Sequence, residues 1–262
     1  MDAGRRVLLW VALCVALSAS LVDLAEHLAT SPWARGTALV ALLFAVGAWT
    51  DPAPPRPARD GFLWVALGLA VSLVCVAGGM TRAGRPGIAI AAIGLSRVLG
   101  RPSMPRAMLA AWVVPVPSAL QNALAPGLAG LVAAAAAHAA PFAGVAAHVD
   151  ASHVDRLVLA TQSGALDLFP GDGGLPLAWT LSGVGWFAAV QRGGSWRAAL
   201  ARALRFALAA IPLQLAALAA ACTLALLGAT GAARALLDHA VVIAGVAALA
   251  VAMRGAAEPA PS

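Results

Sequence analysis

Apolar stretches close to 20 residues long recur from one end of this 262-residue chain to the other. A helix of about 20 apolar residues crosses the roughly 30 Å of hydrocarbon in a lipid bilayer. Hydrophobic residues make up 61% of the chain and charged residues 11%, whereas soluble domains carry about 25% charged residues. The sequence therefore predicts an all-α polytopic membrane protein, because helices satisfy their backbone polar groups internally.

We predict about eight transmembrane helices. They cover approximately 7–25, 36–50, 62–79, 87–100, 107–137, 174–190, 206–228 and 239–253. The fifth is overlong and interrupted by "VPVPSALQ" and "APG", which indicates a kinked span or a span joined to an interfacial helix. The opening "MDAGRRVLLWVALCVALSAS" also has the pattern of a signal peptide. Because so many spans follow it, we favour an uncleaved first helix.

The arginines orient these spans. All 17 basic residues are arginine, a bias that a GC-rich bacterial genome would produce. They are spread between the apolar runs, which does not suggest nucleic-acid binding. With a cytoplasmic N-terminus, twelve of the 17 lie inside and the other five outside, as the positive-inside rule requires. The outer five are Arg35, Arg82, Arg85, Arg156 and Arg234. We expect a bacterial inner-membrane protein, with both termini cytoplasmic.

The same topology places all five histidines and seven of the eleven acidic residues at the outer face, so the functional face is expected to point outward. The longest outer segment covers 138–173. Within it, "RLVLAT" and "ALDLF" alternate apolar side chains around "QSG", which predicts a small outward β-hairpin before the sixth helix. The whole chain, 1–262, is interpreted as a single integral membrane domain.

Directly after this hairpin, the stretch "LDLFPGDGGLPLAW" carries Asp172 between glycines. The favoured interpretation makes Asp172 the N-cap of the sixth helix, since Asp is a preferred cap and Pro176 suits a first helical turn. The alternative is an acid–base pair of Asp172 with His239, both predicted at the outer face, acting on water.

Metal and thiol chemistry have weaker signals. The repeat "HVDASHVD" contains His148, Asp150, His153 and Asp155, which could ligate zinc if the loop folded back, but a solvated polar loop is favoured. We predict no metal and no cofactor. The three cysteines form no disulfide or metal-binding pattern, and Cys75 is interpreted as a small packing residue rather than a nucleophile.

Several segments together resemble the exosortase/archaeosortase family of membrane-embedded sorting proteases. "AWVVPVPSALQ" is similar to the Ile-Pro-Leu-Pro segment of that family, and "LVLATQSGALDLFPGDGG" is similar to the lead into its Cys-Ser-Gly motif. "RFALAAIPLQLAALAAAC", followed by "LLDHAVVIAG", resembles the Ala-Ile-Pro helix with Asn-x-x-Arg and then the His of the last span. "SPWARGTALVALLFAVGAW" resembles the second span. The resemblance covers nearly the whole chain in order.

Members of this family are thought to cut a C-terminal sorting signal from exported proteins, using a Cys nucleophile with an Arg and a His. The resemblance aligns Asp172 with the Cys, and it aligns Leu218 and Ala221 with the Asn and the Arg. Only His239 keeps the residue of the family. Thioester chemistry needs a thiolate, which a carboxylate cannot replace. Loss of the Arg also removes a stabilising cation.

The resemblance therefore implies a catalytically inactive exosortase-like protein that binds a sorting-signal peptide or a partner at its outer face. One alternative is an active membrane protease or transpeptidase that uses Asp172 and His239 in place of a thiol. Others are a small transporter and a structural membrane subunit. The expected partners are the lipid bilayer and exported proteins with a C-terminal sorting signal.

Overall fold

A computed structural model describes the residues 11, 14–31, 34–51, 58–100, 102–116, 118–143, 146–150, 157–161 and 164–257. These residues are predominantly helical. The chain forms two compact units, Met1–Ser118 and Ala119–Ser262. We call them unit 1 and unit 2 and describe each by itself.

Unit 1 consists of helices. Its four longer helices are α1 (Ser18–Thr30), α2 (Arg35–Trp49), α3 (Gly61–Ala77) and α4 (Thr81–Leu99). Two single-turn helices follow, α5 (Met104–Ala107) and α6 (Ala110–Val113). Helices α2, α3 and α4 lie at the second, third and fourth predicted spans, whereas α1 overlaps only the end of the first.

Helices α3 and α4 lie in close backbone contact because each carries two glycines seven residues apart. These are Gly61 and Gly68 in α3 and Gly87 and Gly94 in α4. A Cβ atom added at Gly61 would lie 2.7 Å from the carbonyl oxygen of Gly94, and one added at Gly94 would lie 2.8 Å from that of Gly61. Small residues that let two backbones approach in this way are typical of helix contacts in membranes.

Charged side chains in unit 1 are neutralised in pairs. Three such pairs among the described residues are Asp23–Arg85, Asp51–Arg106 and Asp60–Arg97. In the first pair, the Arg85 Nε donates to an Asp23 carboxylate oxygen at 2.6 Å. The hydroxyls of Ser20 and Ser72, both buried, are hydrogen-bonded to each other at 2.6 Å. The buried groups among these thus have polar partners, as the low polarity of a protein interior demands.

The fifth predicted span is not one helix. The chain leaves helical geometry at Val114, whose ψ of 131° is extended, and helix α7 begins at Ser118 and runs to Ala139. The break falls in "VPVP", because the residue before a proline is disfavoured in the helical region. Pro126, by contrast, is accommodated inside α7.

Unit 2 is built around helix α8 (Leu175–Gln191), of whose 17 residues twelve are buried. Helices α9 (Trp196–Leu226) and α10 (Thr230–Ala257) pack against it. Leu177 and Leu181 of α8 contact Ala210 of α9 and Val241 of α10 in one buried cluster. Both α9 and α10 start well before the seventh and eighth spans predicted from hydrophobicity. The arginines before these two spans, Arg197, Arg202, Arg205 and Arg234, therefore lie in helices rather than in loops.

The segment between α7 and α8 contains a three-stranded antiparallel sheet in the order β1 (Ala147–Asp150), β2 (Leu157–Thr161) and β3 (Gly164–Leu168). The pairing of β2 with β3 matches Leu157 with Leu168 and Leu159 with Leu166, so the predicted hairpin is present. Strand β1, which was not predicted, pairs with the edge of β2 that faces away from β3. Leu166 and Leu168 are buried against α7, α9 and α10, and this packing stabilises a hairpin that alone would be marginal.

Two helices among the described residues are long and apolar enough to cross a membrane, over Trp196–Ala225 and Thr230–Met253. In the most apolar 18 residues of each helix, only 22% and 28% are buried. A core helix of a soluble protein is mostly buried. Helices α2 and α3 are also apolar but shorter.

Candidate functional site

The site predicted around Asp172 begins with a tight turn between β3 and α8. Residues Pro170–Gly173 form one 3₁₀ turn. A Cβ atom at Gly173 would lie 2.6 Å from the backbone nitrogen of Ala129 in α7. Gly174 has a φ of +86° and is the N-cap of α8, a conformation that glycine adopts at no steric cost. Gly173 therefore allows the turn to approach the backbone of α7, and Gly174 allows a left-handed backbone conformation.

The prediction that Asp172 caps the sixth helix is wrong. Helix α8 starts after Gly174 and receives no side-chain cap at its N-terminus. The Asp172 carboxylate instead turns back along the chain and accepts the backbone N–H of Phe169 at 2.9 Å. The cap thus closes the short 3₁₀ turn rather than the helix. Pro176 does lie in the first turn of α8, as predicted.

The main partner of the Asp172 carboxylate is Arg234 in α10. The two Nη atoms of Arg234 lie 2.8 and 3.2 Å from the two carboxylate oxygens of Asp172. This bidentate geometry is the strong form of a guanidinium–carboxylate pair. The Asp172 side chain is 3% exposed and that of Arg234 24%, so a nearly buried carboxylate is neutralised by a partly buried cation.

Arg234 makes three further contacts that hold the guanidinium in place. Its Nε donates to the Asp238 carboxylate at 2.9 Å, one helical turn along α10. Its Nη1 donates to the backbone carbonyl of Asp167 at 3.3 Å. The guanidinium carbon lies 4.9 Å from the centre of the Phe169 ring, within the range of a cation–π contact. Arg234 therefore ties α10 to both β3 and the turn.

Helix α9 supplies a second anchor. The buried side chain of Gln214 donates from Nε2 to the backbone carbonyl of Asp172 at 2.7 Å. Along the same buried stripe of α9 lie Leu218 and Ala221, both 0% exposed and packed with Leu168. These two residues, aligned by the resemblance with the Asn and the Arg of the family, therefore form an apolar cluster beside the turn.

Asp172 and His239 have different partners in the hydrogen bonds described here. The Asp172 carboxylate is buried and accepts hydrogen bonds from Arg234 and Phe169. His239 is exposed on α10, and its Nδ1 lies 2.8 Å from the carbonyl oxygen of Ala235. Asp238 and His239 lie within α10, which begins at Thr230.

The other candidates from the sequence are the "HVDASHVD" repeat and the three cysteines. Within the described residues, no group of three or more potential ligands could hold a metal ion. His153 and Asp155 of the "HVDASHVD" repeat lie outside the described residues. The three cysteines are free thiols. Cys75 packs toward α4, since a Cβ atom added at Gly84 would lie 3.5 Å from the Cβ atom of Cys75.

Two residues of this site were missed by sequence reasoning. Arg234 enters the sequence analysis only as one of the outer arginines, although its spacing to Asp238 is the i, i+4 spacing of a helical ion pair. That spacing could have indicated a helix starting before the predicted last span. Nothing in the sequence indicated Gln214, because its partner is a backbone carbonyl 42 residues away.

The site is thus a turn whose carboxylate, that of Asp172, is buried, accepts the backbone N–H of Phe169 and forms an ion pair with Arg234. No protein-family model matches the chain, and comparisons with curated proteins and with solved structures likewise find no significant match.

Proposed function

We propose that this chain is a multi-pass inner-membrane protein of exosortase-like organisation that has lost thiol chemistry and binds an exported protein at its outer face. The observation that carries the proposal is the bidentate ion pair of the buried Asp172 with Arg234. The resemblance puts the nucleophile of the family at Asp172. A carboxylate held in this way is a structural group rather than a reactive one.

The membrane part of the proposal is supported by the outward side chains of the helices. Large apolar residues are exposed on helices of both units; examples are Leu63 (74%), Val74 (70%), Leu131 (70%), Leu208 (65%) and Val251 (69%). Soluble proteins rarely expose apolar surface so extensively. Hydrocarbon would cover these side chains without cost.

The proposed order of spans agrees with the ion pairs. Each pair joins residues that the arginine-based topology puts on the same side of the membrane. Asp23–Arg85 and Asp172–Arg234 fall on the outer side, and Asp51–Arg106 and Asp60–Arg97 on the inner side. A wrong order of spans would be expected to pair groups from opposite faces, which lie about 30 Å apart.

Loss of catalysis follows from the chemistry of the replaced groups. A sorting protease that works through a thioester needs a thiolate next to a cation. Here the cation is supplied by Arg234 from α10, but it faces a carboxylate. An active enzyme using Asp172 and His239 is less favoured, because Asp172 is buried and already bound. A transporter is less favoured because the cavity found in unit 1 is lined by apolar side chains.

The test restores the missing thiol. Asp172→Cys would put a thiol beside Arg234, and an adjacent cation favours the thiolate. Wild-type protein should bind a co-expressed exported protein carrying a C-terminal sorting signal without cutting it, and Asp172→Cys should produce alkylator-sensitive cleavage. Asp172→Ser, which has a similar size but no thiol, is the matched control and should not cleave.

Two results would contradict the proposal. Cleavage by the wild-type chain that disappears in both Asp172→Asn and His239→Ala would establish the active enzyme instead. Absence of binding by a correctly folded wild-type chain, for every exported protein encoded beside it, would leave a structural role.

A further inference from the structure

Unit 1 contains a cavity of about 340 Å³ between residues of α1, α2 and α4 and the stretch before α1. Its walls include Leu21, Phe44, Ile88 and Ala92. The hydroxyl of the lining Ser96 donates to the backbone carbonyl of Ala92 at 2.8 Å. The wall is therefore apolar where it meets the cavity, and it gives a water molecule few partners.

We propose that this cavity binds one acyl chain of a membrane lipid, an inference that rests on the membrane placement proposed above. The volume supports a chain rather than a small molecule. An apolar cavity of roughly 150 Å³ accommodates benzene, so 340 Å³ accommodates a chain with roughly a dozen carbon atoms by the same scale.

The way in also favours a lipid tail. The cavity is partly open, and Cys14 both lines it and is exposed. On either side of Cys14 along the chain, Val11 is 54% and Val15 69% exposed. The opening is thus flanked by apolar side chains that the bilayer would cover. A lipid tail is the apolar group present at high concentration next to such an opening.

The cavity is separate from the turn at Asp172, which belongs to unit 2. Lipid occupancy would hold α1, α2 and α4 of unit 1 apart at the distance seen in the structure. An empty apolar cavity of this size would be expected to cost stability, because its lining loses packing contacts. A bound chain removes that cost.

The experiment uses the full chain in vesicles of phosphatidylethanolamine and phosphatidylglycerol that contain a phosphatidylethanolamine with a diazirine on one acyl chain. After photolysis, labelled peptides are identified by mass spectrometry. Labelling should be strong at Phe44 and Ile88, inside the cavity, in addition to the exposed Leu63, which serves as an internal reference. Ala92→Phe puts a large side chain into the cavity, so labelling at Phe44 and Ile88 should fall several-fold relative to labelling at Leu63.

Ala66→Phe, a matched substitution at an exposed alanine of α3, should leave the labelling unchanged. Ala92→Leu adds less volume and should have an intermediate effect, which guards against a folding defect in Ala92→Phe. The inference is overturned if lining and outer residues are labelled alike in every variant, or if the lining is not labelled. An alkaline wash of the membranes separates the two proposals: release of the chain refutes its membrane placement, whereas a retained chain with an unlabelled cavity refutes only lipid binding.

Discussion

The guanidinium of Arg234 donates from both Nη atoms to the carboxylate of Asp172, at 2.8 and 3.2 Å. The two residues are 62 positions apart in the sequence. One consequence is mechanical: the pair connects helix α10 to the turn that precedes helix α8. Another is chemical, because a guanidinium that neutralises a buried carboxylate is not free to stabilise a reaction. Asp172 is therefore best understood as the centre of a structural cluster.

Removal of the cation from this cluster should destabilise unit 2. Arg234→Ala leaves the Asp172 carboxylate 3% exposed without its ion-pair partner. We expect the free energy of unfolding to fall by about 2–3 kcal/mol. This is less than the loss caused by breaking a fully buried ion pair, because Arg234 is partly exposed. Arg82→Ala, at an exposed arginine, should change stability by less than about 0.5 kcal/mol. Denaturation in detergent micelles measures both.

A double-mutant cycle with Asp172→Asn and Arg234→Gln isolates the interaction. Because the two side chains touch, the combined loss should be smaller than the sum of the single losses by about 1–3 kcal/mol. Additive losses would mean that Arg234 acts through Asp238 or Phe169 instead.

The close contact of the turn with α7 predicts opposite effects for two glycines. Gly173→Ala would force a Cβ atom to 2.6 Å from the Ala129 nitrogen, and such overpacking costs about 1–3 kcal/mol. Gly130→Ala, in α7 where nothing lies within 4 Å of the added atom, should be neutral or raise stability by up to about 1 kcal/mol through helix propensity. Equal effects in thermal unfolding would refute the described turn.

The glycine contacts between α3 and α4 predict a similar contrast in unit 1. At Gly94 an added Cβ atom would meet the backbone nitrogen of Val65 at 2.5 Å, so Gly94→Ala should lower the stability by about 1–3 kcal/mol. Gly78→Ala is the control, since its nearest contact would be an ordinary 3.4 Å. A Gly94→Ala protein as stable as the control would show that the helices are farther apart.

His27, which lies beyond the predicted first span, predicts a pH dependence. Burial lowers its pKa, and the charges of Arg85 and Arg82 lower it further, against an opposing effect of Asp23. The unfolded chain then binds the proton more readily, so stability is complete above a pH of about 6.5 and decreases as the pH falls below it. The denaturation midpoint between pH 7 and about 5.5 measures this slope.

His27→Gln should make that slope shallower, and Arg82→Gln should reduce it in part because one of the unfavourable charges is gone. A slope that is the same in wild type and His27→Gln would show that protonation of His27 is not coupled to folding.

Local patterns predicted much of the fold. The apolar runs locate the helices because helix formation and burial depend on residues a few positions apart. The β2–β3 hairpin follows from alternation around a short turn, and Pro115 and Pro117 explain the break in the fifth span. The starts of α9 and α10 differ from the predicted ones, because hydrophobicity does not distinguish helical turns that contain arginine from loops.

The sequence by itself determined that this chain is a set of apolar helices with a hairpin before Leu175, because those features arise from near neighbours. Only the tertiary structure decided what Asp172 does. Its partner Arg234 and the amide of Gln214 come from other helices, and contacts between distant segments depend on how the helices pack. The same packing brings Gly61 against Gly94, a contact that no local pattern could identify.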